Sequence, residues 1–110
     1  MRRGEVWTAA GGPGYAGKPR PVVIVQDDRF DASPSVTVCA FTTDPTEAPL
    51  FRLPLDPAAE DGHAVASRLM VDKITTVARG RLGRRIGRLS DAQMRQLNRA
   101  IIVFLGLAGS

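Results

Sequence analysis

The sequence contains few of the residues on which many enzymes and secreted folds depend. Its 110 residues include one cysteine, Cys39, and one histidine, His63. A single cysteine excludes a disulfide within the chain and favours a reducing cytoplasm. Apolar neighbours would raise the pKa of its thiol, so we do not expect a catalytic cysteine. A single histidine excludes a catalytic histidine pair within one chain, and we interpret His63, which follows the turn sequence EDG, as an exposed turn residue.

Long apolar segments and metal-binding motifs are also absent. The chain opens with MRRGEVW and has no apolar run suited to a signal peptide or a membrane span. We therefore expect a soluble cytoplasmic protein that makes no membrane contact. Asp27, Asp28 and Asp31 lack the glycine and the terminal glutamate of a calcium loop, so we interpret them as turn and capping acids. The sequence predicts neither a metal nor another cofactor.

Aromatic residues are scarce, at 5% of the chain. Val, Ile, Leu and Ala must therefore fill the core, and Trp7 is expected to be its one large anchor. The length fits a single domain over residues 1–110. The net charge of +4 suits a polyanionic partner such as nucleic acid, but it is equally compatible with solubility alone.

Short β-branched segments separated by turn residues predict a mainly β fold. The predicted strands are EVWT (5–8), PVVIVQ (21–26), VTVCAFTT (36–43), FRLPL (51–55), a long HAVASRLMVDKITTV (63–77) and a short strand around Ile86. Pro54 restricts FRLPL to an edge of the sheet. In the long strand, alternation would put Arg68, Met70 and Asp72 on one face.

The end of the chain predicts one amphipathic helix. Ser90 and Gln93 form a capping-box pattern, and Met94, Leu97, Ile101 and Leu105 recur at helical spacing. Strands followed by one helix predict a small, curved antiparallel sheet or barrel with the helix packed on it. The apolar run AIIVFLGL is wider than one stripe needs, which is consistent with a second subunit covering part of it.

Polar side chains suited to an anionic ligand lie at the predicted strand ends. Arg20 opens the second strand, Thr42 and Thr43 close the third, and Asp72 lies near the end of the long strand. Arginine offers a fixed fork of donors to phosphate, and hydroxyl groups can complete the binding site. These strand ends therefore indicate phosphate binding.

Together these segments resemble the MazF/PemK-type toxins, the ribonuclease halves of bacterial toxin–antitoxin pairs. The matching pieces are RRGEVW, KPRPVVIVQDDRF, VTVCAFTT, APLFRLPL, RLMVDKITTV, RLGRRIGRLS and the terminal helix, in the order of the family. The resemblance implies a small SH3-like barrel, a homodimer and an antitoxin partner. It also implies metal-independent, sequence-selective cleavage of single-stranded RNA by attack of the RNA's own 2′-hydroxyl.

The resemblance also suggests roles for individual residues. Arg20 matches the arginine of the family's RPVV element, Thr42 the threonine that closes the next strand, and Asp72 the acid of its DQI-type element, here DKI. Arg20 and Thr42 are thus expected to be catalytic, and Asp72 to be either a general base or an ion-pair partner. Some members place an arginine two positions before that acid, where this chain has Met70. Arg68 is the candidate to supply the missing charge.

Other residues are candidates for RNA contact. They are Lys18, Thr43, Arg68 and Lys73 for the RNA backbone and Tyr15 for stacking on a base. Some members place an acid in the loop before Arg20, and here that loop has none. An arginine cluster occupies positions 79, 81, 84, 85 and 88. These side chains could contact RNA, contact an acidic antitoxin segment or simply face solvent, and we favour solvent exposure for most of them.

Two other functions remain open on the sequence. The first is a noncatalytic toxin similar to CcdB, which has a related fold and acts by binding gyrase. The second is a plain SH3-like RNA-binding module. A gyrase-binding protein has no need of an arginine and a threonine placed at neighbouring strand ends.

Overall fold

The structure is a computed structural model that describes residues 1–10, 19–42, 52–55, 67–107 and 109. Within these residues the fold has seven strands and one α-helix. The strands are β1 (Glu5–Ala9), β2 (Arg20–Ile24), β3 (Ser35–Thr42), β4 (Arg52–Leu55), β5 (Ser67–Met70), β6 (Thr75–Ala78) and β7 (Leu82–Arg88). The helix is α1 (Asp91–Phe104). Tyr15, Lys18, Thr43 and His63 lie outside the described residues.

The strands form one curved antiparallel sheet in the order β4-β5-β3-β2-β1-β7, and β6 also pairs with β3. The predicted mainly β fold with a terminal helix is confirmed. Within the described residues, β4 and β7 do not pair with each other, so the sheet is open rather than a closed barrel. The predicted edge position of FRLPL is confirmed, as expected for a strand that contains Pro54.

Aliphatic side chains build two buried clusters, one on each side of the sheet. Because side chains alternate along β2, Val23 joins one cluster while Val22 and Ile24 join the other. The first cluster also receives Leu97 from α1, so the helix packs on that face. Trp7 is only partly buried and lies at the margin of the second cluster. Trp7 therefore packs against the core without being its buried anchor, and the core is aliphatic, as predicted.

Helix α1 begins at the predicted capping box. The Ser90 hydroxyl accepts a hydrogen bond from the Gln93 amide at 3.1 Å, and the Gln93 side chain accepts one from the Ser90 amide at 2.8 Å. These two bonds satisfy backbone donors that the first helical turn leaves without partners. No helix in the described ranges is long and apolar enough to cross a membrane.

Gly4 connects the start of the chain to the approach of the helix. Its amide donates to the Ile24 carbonyl at 2.8 Å, and its carbonyl accepts from the Leu89 amide at 2.9 Å. Its φ of +93° favours glycine, and an added Cβ would lie 3.2 Å from the Met94 sulfur. The N-terminal segment, β2 and the start of α1 therefore meet at one residue.

The predicted continuous strand over 63–77 is wrong beyond Met70. Val71–Lys73 form a 3-10 turn, after which the chain resumes as β6. Both β5 and β6 pair antiparallel to β3, with Leu69 opposite Phe41 and Thr75 opposite Val38. Thr75 lies six positions after Leu69, whereas their partners Phe41 and Val38 are only three positions apart. The extra residues form the turn, and Asp72 leaves the face that Arg68 and Met70 were predicted to share with it.

A close approach between β1 and β7 predicts that Gly83 cannot carry a side chain. The Thr8 hydroxyl accepts a hydrogen bond from the Arg84 amide at 3.1 Å, and a Cβ at position 83 would lie 2.5 Å from that oxygen. We expect Gly83→Ala to lower the free energy of unfolding by about 1 to 3 kcal/mol, the usual cost of overpacking. Urea denaturation measures this loss.

Gly80 provides the matched control, since a Cβ there would have no heavy atom within 4 Å. We expect Gly80→Ala to change the free energy of unfolding by less than about 1 kcal/mol. The cost of Gly83→Ala should shrink in a Thr8→Ala background, where the clashing oxygen is gone. An equal cost in both backgrounds would contradict the proposed clash.

Candidate functional site

A pocket of about 320 Å³ lies where β2 begins and β3 ends. Its described lining residues are Arg20, Pro21, Ala40, Phe41, Thr42, Met70 and Lys73. Arg20 and Lys73 are exposed, whereas Thr42 and Met70 are half-buried. The structure therefore brings together three of the residues predicted from the sequence, namely Arg20, Thr42 and Lys73.

Strand register explains why Arg20 and Thr42 meet. In the β2–β3 pairing, Val22 lies opposite Ala40 and Ile24 opposite Val38. Extending the same register by two residues places Arg20 opposite Thr42. Residues directly opposite in antiparallel strands point to the same face, with Cβ atoms about 4.5 to 5.5 Å apart. The guanidinium and the hydroxyl thus belong to one side of the sheet.

Arg20 and Thr42 form a row of side chains across β2 and β3, and Arg68 continues this row onto β5. It lies opposite Thr42 in the β3–β5 pairing, on the side of β3 away from β2. Arg20, Thr42 and Arg68 therefore occupy matching positions on three adjacent strands and share one face. Arg68 is half-buried and is not among the described residues that line the pocket. Its place beside Thr42 supports the idea that it supplies charge near Met70.

Asp72 lies in the 3-10 turn next to Lys73 and is half-buried. It is not among the described lining residues of the pocket. The pKa of the Cys39 thiol is raised to about 12, mainly by burial and to a lesser extent by the negative charge of Asp72. The structure therefore places Asp72 next in sequence to the pocket residue Lys73, and its predicted role as general base stays a prediction.

Sequence reasoning missed the apolar part of the pocket. In the sequence, Pro21, Ala40 and Phe41 have the pattern of ordinary strand residues, and Met70 stands out only as a departure from a family pattern. The sequence feature that could have placed Met70 in the pocket is its position two residues after Arg68, on the same face of β5. Tyr15, Lys18 and Thr43, the other predicted RNA contacts, lie outside the described residues.

The arginines that follow β6 divide into two groups. The Arg79 side chain donates to the Ser33 carbonyl at 2.9 Å and to the backbone carbonyl of Asp31, so it ties two turns together. Arg85 forms an ion pair with Glu5 at 3.1 Å. Arg81, Arg84, Arg85 and Arg88 are exposed. The interpretation of most of this cluster as a solvated face agrees with their exposure, whereas Arg79 is structural.

Of the acids after β2, Asp27 caps a turn with its side chain, as predicted, whereas the side chains of Asp28 and Asp31 bind other segments of the chain. Asp27 accepts a hydrogen bond from the Arg29 amide at 2.8 Å, and Asp28 accepts one from the Arg3 amide at 2.6 Å. Asp31 contacts Arg79 at 3.5 Å. No group of three or more His, Cys, Asp or Glu residues suited to a metal ion occurs within the described ranges.

These features define a class of small β protein. An open, curved antiparallel sheet carries an arginine and a threonine on neighbouring strand ends, beside a lysine and an apolar wall. One helix covers the opposite face. Such a pocket can hold a phosphate group through charge-assisted hydrogen bonds.

Comparison with known proteins identifies the family. The family described as PemK-like, MazF-like toxin of type II toxin–antitoxin system matches residues 2–105. The chain belongs to this family, and it is an endoribonuclease toxin.

Relatives and solved structures agree with this assignment. The chain is 54% identical over 109 residues to the probable endoribonuclease MazF of Mycolicibacterium smegmatis, covering 99% of this chain and 100% of the relative. It is 33% identical over 116 residues to endoribonuclease MazF9 of Mycobacterium tuberculosis, covering 97% and 98% of the two chains. An endoribonuclease from a mycobacterial species, solved in complex with its cognate antitoxin, has the same fold, with a TM-score of 0.81, 23% identity and coverage of 100% and 99%.

The buried thiol yields a prediction for pH dependence. With a pKa of about 12, the Cys39 thiol stays protonated in the folded protein. The contribution of this neutral thiol to the stability of the fold is complete below the ordinary thiol pKa of about 9. We expect stability to fall as the pH rises from about 9 toward 12, because the unfolded thiol ionises first. We also expect native protein at pH 8 to resist iodoacetamide and urea-unfolded protein to react. Mass spectrometry of the alkylated protein reports both rates, and equal labelling of the two states would contradict the burial of this thiol.

Proposed function

We propose that this toxin cleaves single-stranded RNA in the pocket formed by Arg20 and Thr42, by attack of the RNA's 2′-hydroxyl and without a metal ion. The observation that carries the proposal is the cross-strand placement of these two residues. A guanidinium and a hydroxyl on the same face can contact two oxygens of one phosphate group. Lys73 adds a second positive charge to the same pocket.

The substrate supplies its own nucleophile in this reaction. The 2′-oxygen forms a bond to phosphorus while the bond from phosphorus to the 5′-oxygen breaks. One strand then ends in a 2′,3′-cyclic phosphate and the other in a 5′-hydroxyl. A base takes the 2′-hydroxyl proton, and the leaving 5′-oxygen gains a proton. The protein has to align the groups, move these protons and stabilise the charge that develops on the phosphate oxygens.

Arg20 and Thr42 would divide the task of stabilisation. Arginine stays protonated in proteins and is a poor proton donor, so we assign Arg20 to neutralise the phosphate oxygens. Its exposure at the start of β2 lets an RNA strand reach it from solvent. The half-buried Thr42 would donate a hydrogen bond to a phosphoryl oxygen or hold the attacking hydroxyl. Arg68, opposite Thr42, would add the charge that Met70 cannot supply.

Asp72 is the proposed general base. It immediately precedes Lys73, whose side chain lines the pocket, so a carboxylate lies one residue from the proposed phosphate site. The alternative role is an ion-pair partner within the fold. Lys18, Thr43 and Tyr15 complete the set of proposed RNA contacts.

The proposed partners are an antitoxin and a second copy of the chain. A structurally similar endoribonuclease has been solved with its cognate antitoxin, which supports an antitoxin partner here. At the end of α1, Val103, Phe104 and Leu105 are each more than 40% exposed. An apolar surface of this kind is typical of a subunit interface. Both proposals take residues 1–110 as one domain.

Cleavage of a mixed RNA in excess EDTA tests the proposed site. We expect the wild-type protein to cut, and Arg20→Ala and Thr42→Ala each to lower kcat/KM by about 100- to 1000-fold, as for the loss of one transition-state donor. End mapping should find 5′-hydroxyl groups on the downstream fragments. Arg84→Ala and Thr75→Ala are the matched controls, because both residues are exposed and neither lines the pocket. Cleavage that needs a metal, or that survives both pocket substitutions in folded protein, would rule the proposal out.

The pH dependence of Asp72→Asn distinguishes the two roles of this acid. A general base must be ionised, so wild-type kcat/KM should fall as the pH drops through its pKa. Asparagine cannot accept the proton, so we expect Asp72→Asn to lower kcat/KM by about 100-fold or more and to remove this acid limb. A variant that loses thermal stability but keeps the acid limb of the profile would show that Asp72 is structural.

A further inference from the structure

The residues that line the pocket at the ends of β2 and β3 are of two chemical kinds. Arg20, Thr42 and Lys73 supply charge and a hydroxyl, whereas Pro21, Ala40 and Met70 supply apolar surface. A phosphate group makes use of the first kind only. The apolar residues therefore need a separate explanation.

Met70 lies in the row of cross-strand neighbours next to that of Arg20, Thr42 and Arg68. Phe41 lies opposite Leu69 and Thr42 opposite Arg68, so the β3–β5 register, continued by one residue, places Met70 opposite Ala40. Ala40 precedes Thr42 by two residues on the same face of β3, a distance of about 7 Å along the strand. The chain turns away directly after Met70, which leaves this side chain at the end of β5.

The core does not account for Met70. Neither buried aliphatic cluster includes it, and it is not among the partly buried residues packed against them. The side chain is half-buried within the described structure and lines the pocket. A large apolar side chain beside two cations, outside the core, is suited to contact an apolar surface of the ligand.

We propose that Met70, with Ala40 and Pro21, forms a subsite for a nucleobase adjacent to the scissile phosphate. This inference rests on the proposed RNA cleavage and specifies one part of that site. A nucleotide combines the same two chemical characters as the pocket lining, an anionic phosphate and a flat, weakly polar base. The pocket volume of about 320 Å³ is at the lower end of the range for small-molecule sites.

The chemistry of the Met70 side chain determines how selective this subsite is among the four bases. Its thioether is flexible and polarisable, and sulfur packs favourably against aromatic rings. Every base has a flat π face, so such a contact requires a base but tolerates all four. The subsite would therefore position the RNA, while hydrogen bonds elsewhere would read its sequence.

The test is a cycle that removes the base and the side chain separately and together. The substrate is a short RNA with one site that the wild-type protein cuts. In two further RNAs the nucleotide on one or the other side of the cut phosphate is replaced by an abasic ribose, which keeps the 2′-hydroxyl. Wild type, Met70→Ala and Met70→Leu are compared by kcat/KM, and thermal melting checks that the variants fold.

We expect one abasic position to lower kcat/KM of the wild type by about 2- to 12-fold, the strength of a sulfur–aromatic contact. Met70→Ala should show a similar loss on intact RNA and no further loss on that abasic RNA. Such non-additivity is the sign of direct contact. Met70→Leu keeps the apolar surface and should retain most of the activity on intact RNA. Exchange among the four bases at this position should change the Met70→Ala effect by less than about twofold.

Two results would overturn the inference in different ways. If the losses from Met70→Ala and from each abasic position multiply, no base contacts Met70, and the subsite fails while the proposed RNA cleavage stands. If folded wild-type protein cuts none of the intact RNAs, the proposed function fails and the subsite fails with it.

Discussion

The register of β2 against β3 is the constraint on which the rest of the structure depends. The pairing of Val23 with Cys39 puts both side chains into the cluster beneath α1, and it also leaves Arg20 opposite Thr42. A slip of one residue would send Val22 and Ile24 to the helix side and separate the guanidinium from the hydroxyl. Core packing and site geometry are thus set by the same pairing, so the buried side chains hold the proposed catalytic residues in place.

Much of the fold could be predicted because its signals are local. The β-branched runs of β2 and β3 indicate central strands, and the capping box at Ser90 marks the start of α1 within the residues that form it. The break at Val71–Lys73 could not be predicted, because it depends on where β5 and β6 meet β3. That meeting joins residues far apart in the chain, and no local pattern in LMVDKITTV reports it.

The site was predictable only where single residues matched a family pattern. Arg20 and Thr42 could be identified in this way, and the structure adds the cross-strand register that brings them together. The apolar wall could not, because Ala40 and Met70 look like ordinary strand residues until β3 and β5 pair. The position of Asp72 could not be predicted either. The turn between β5 and β6 removes it from the strand alternation from which its face was predicted.

The burial of Leu97 against Val6 and Val23 has a consequence for the stability of an incomplete chain. Residues at the start of the chain and near its end share one cluster, and β1 also pairs with β7. While the ribosome is still making the last part of the chain, that cluster is exposed on one face, and the sheet that carries the site lacks its support. We therefore expect a fragment that lacks α1 to be less stable than the whole chain, because it would leave Val6 and Val23 uncovered.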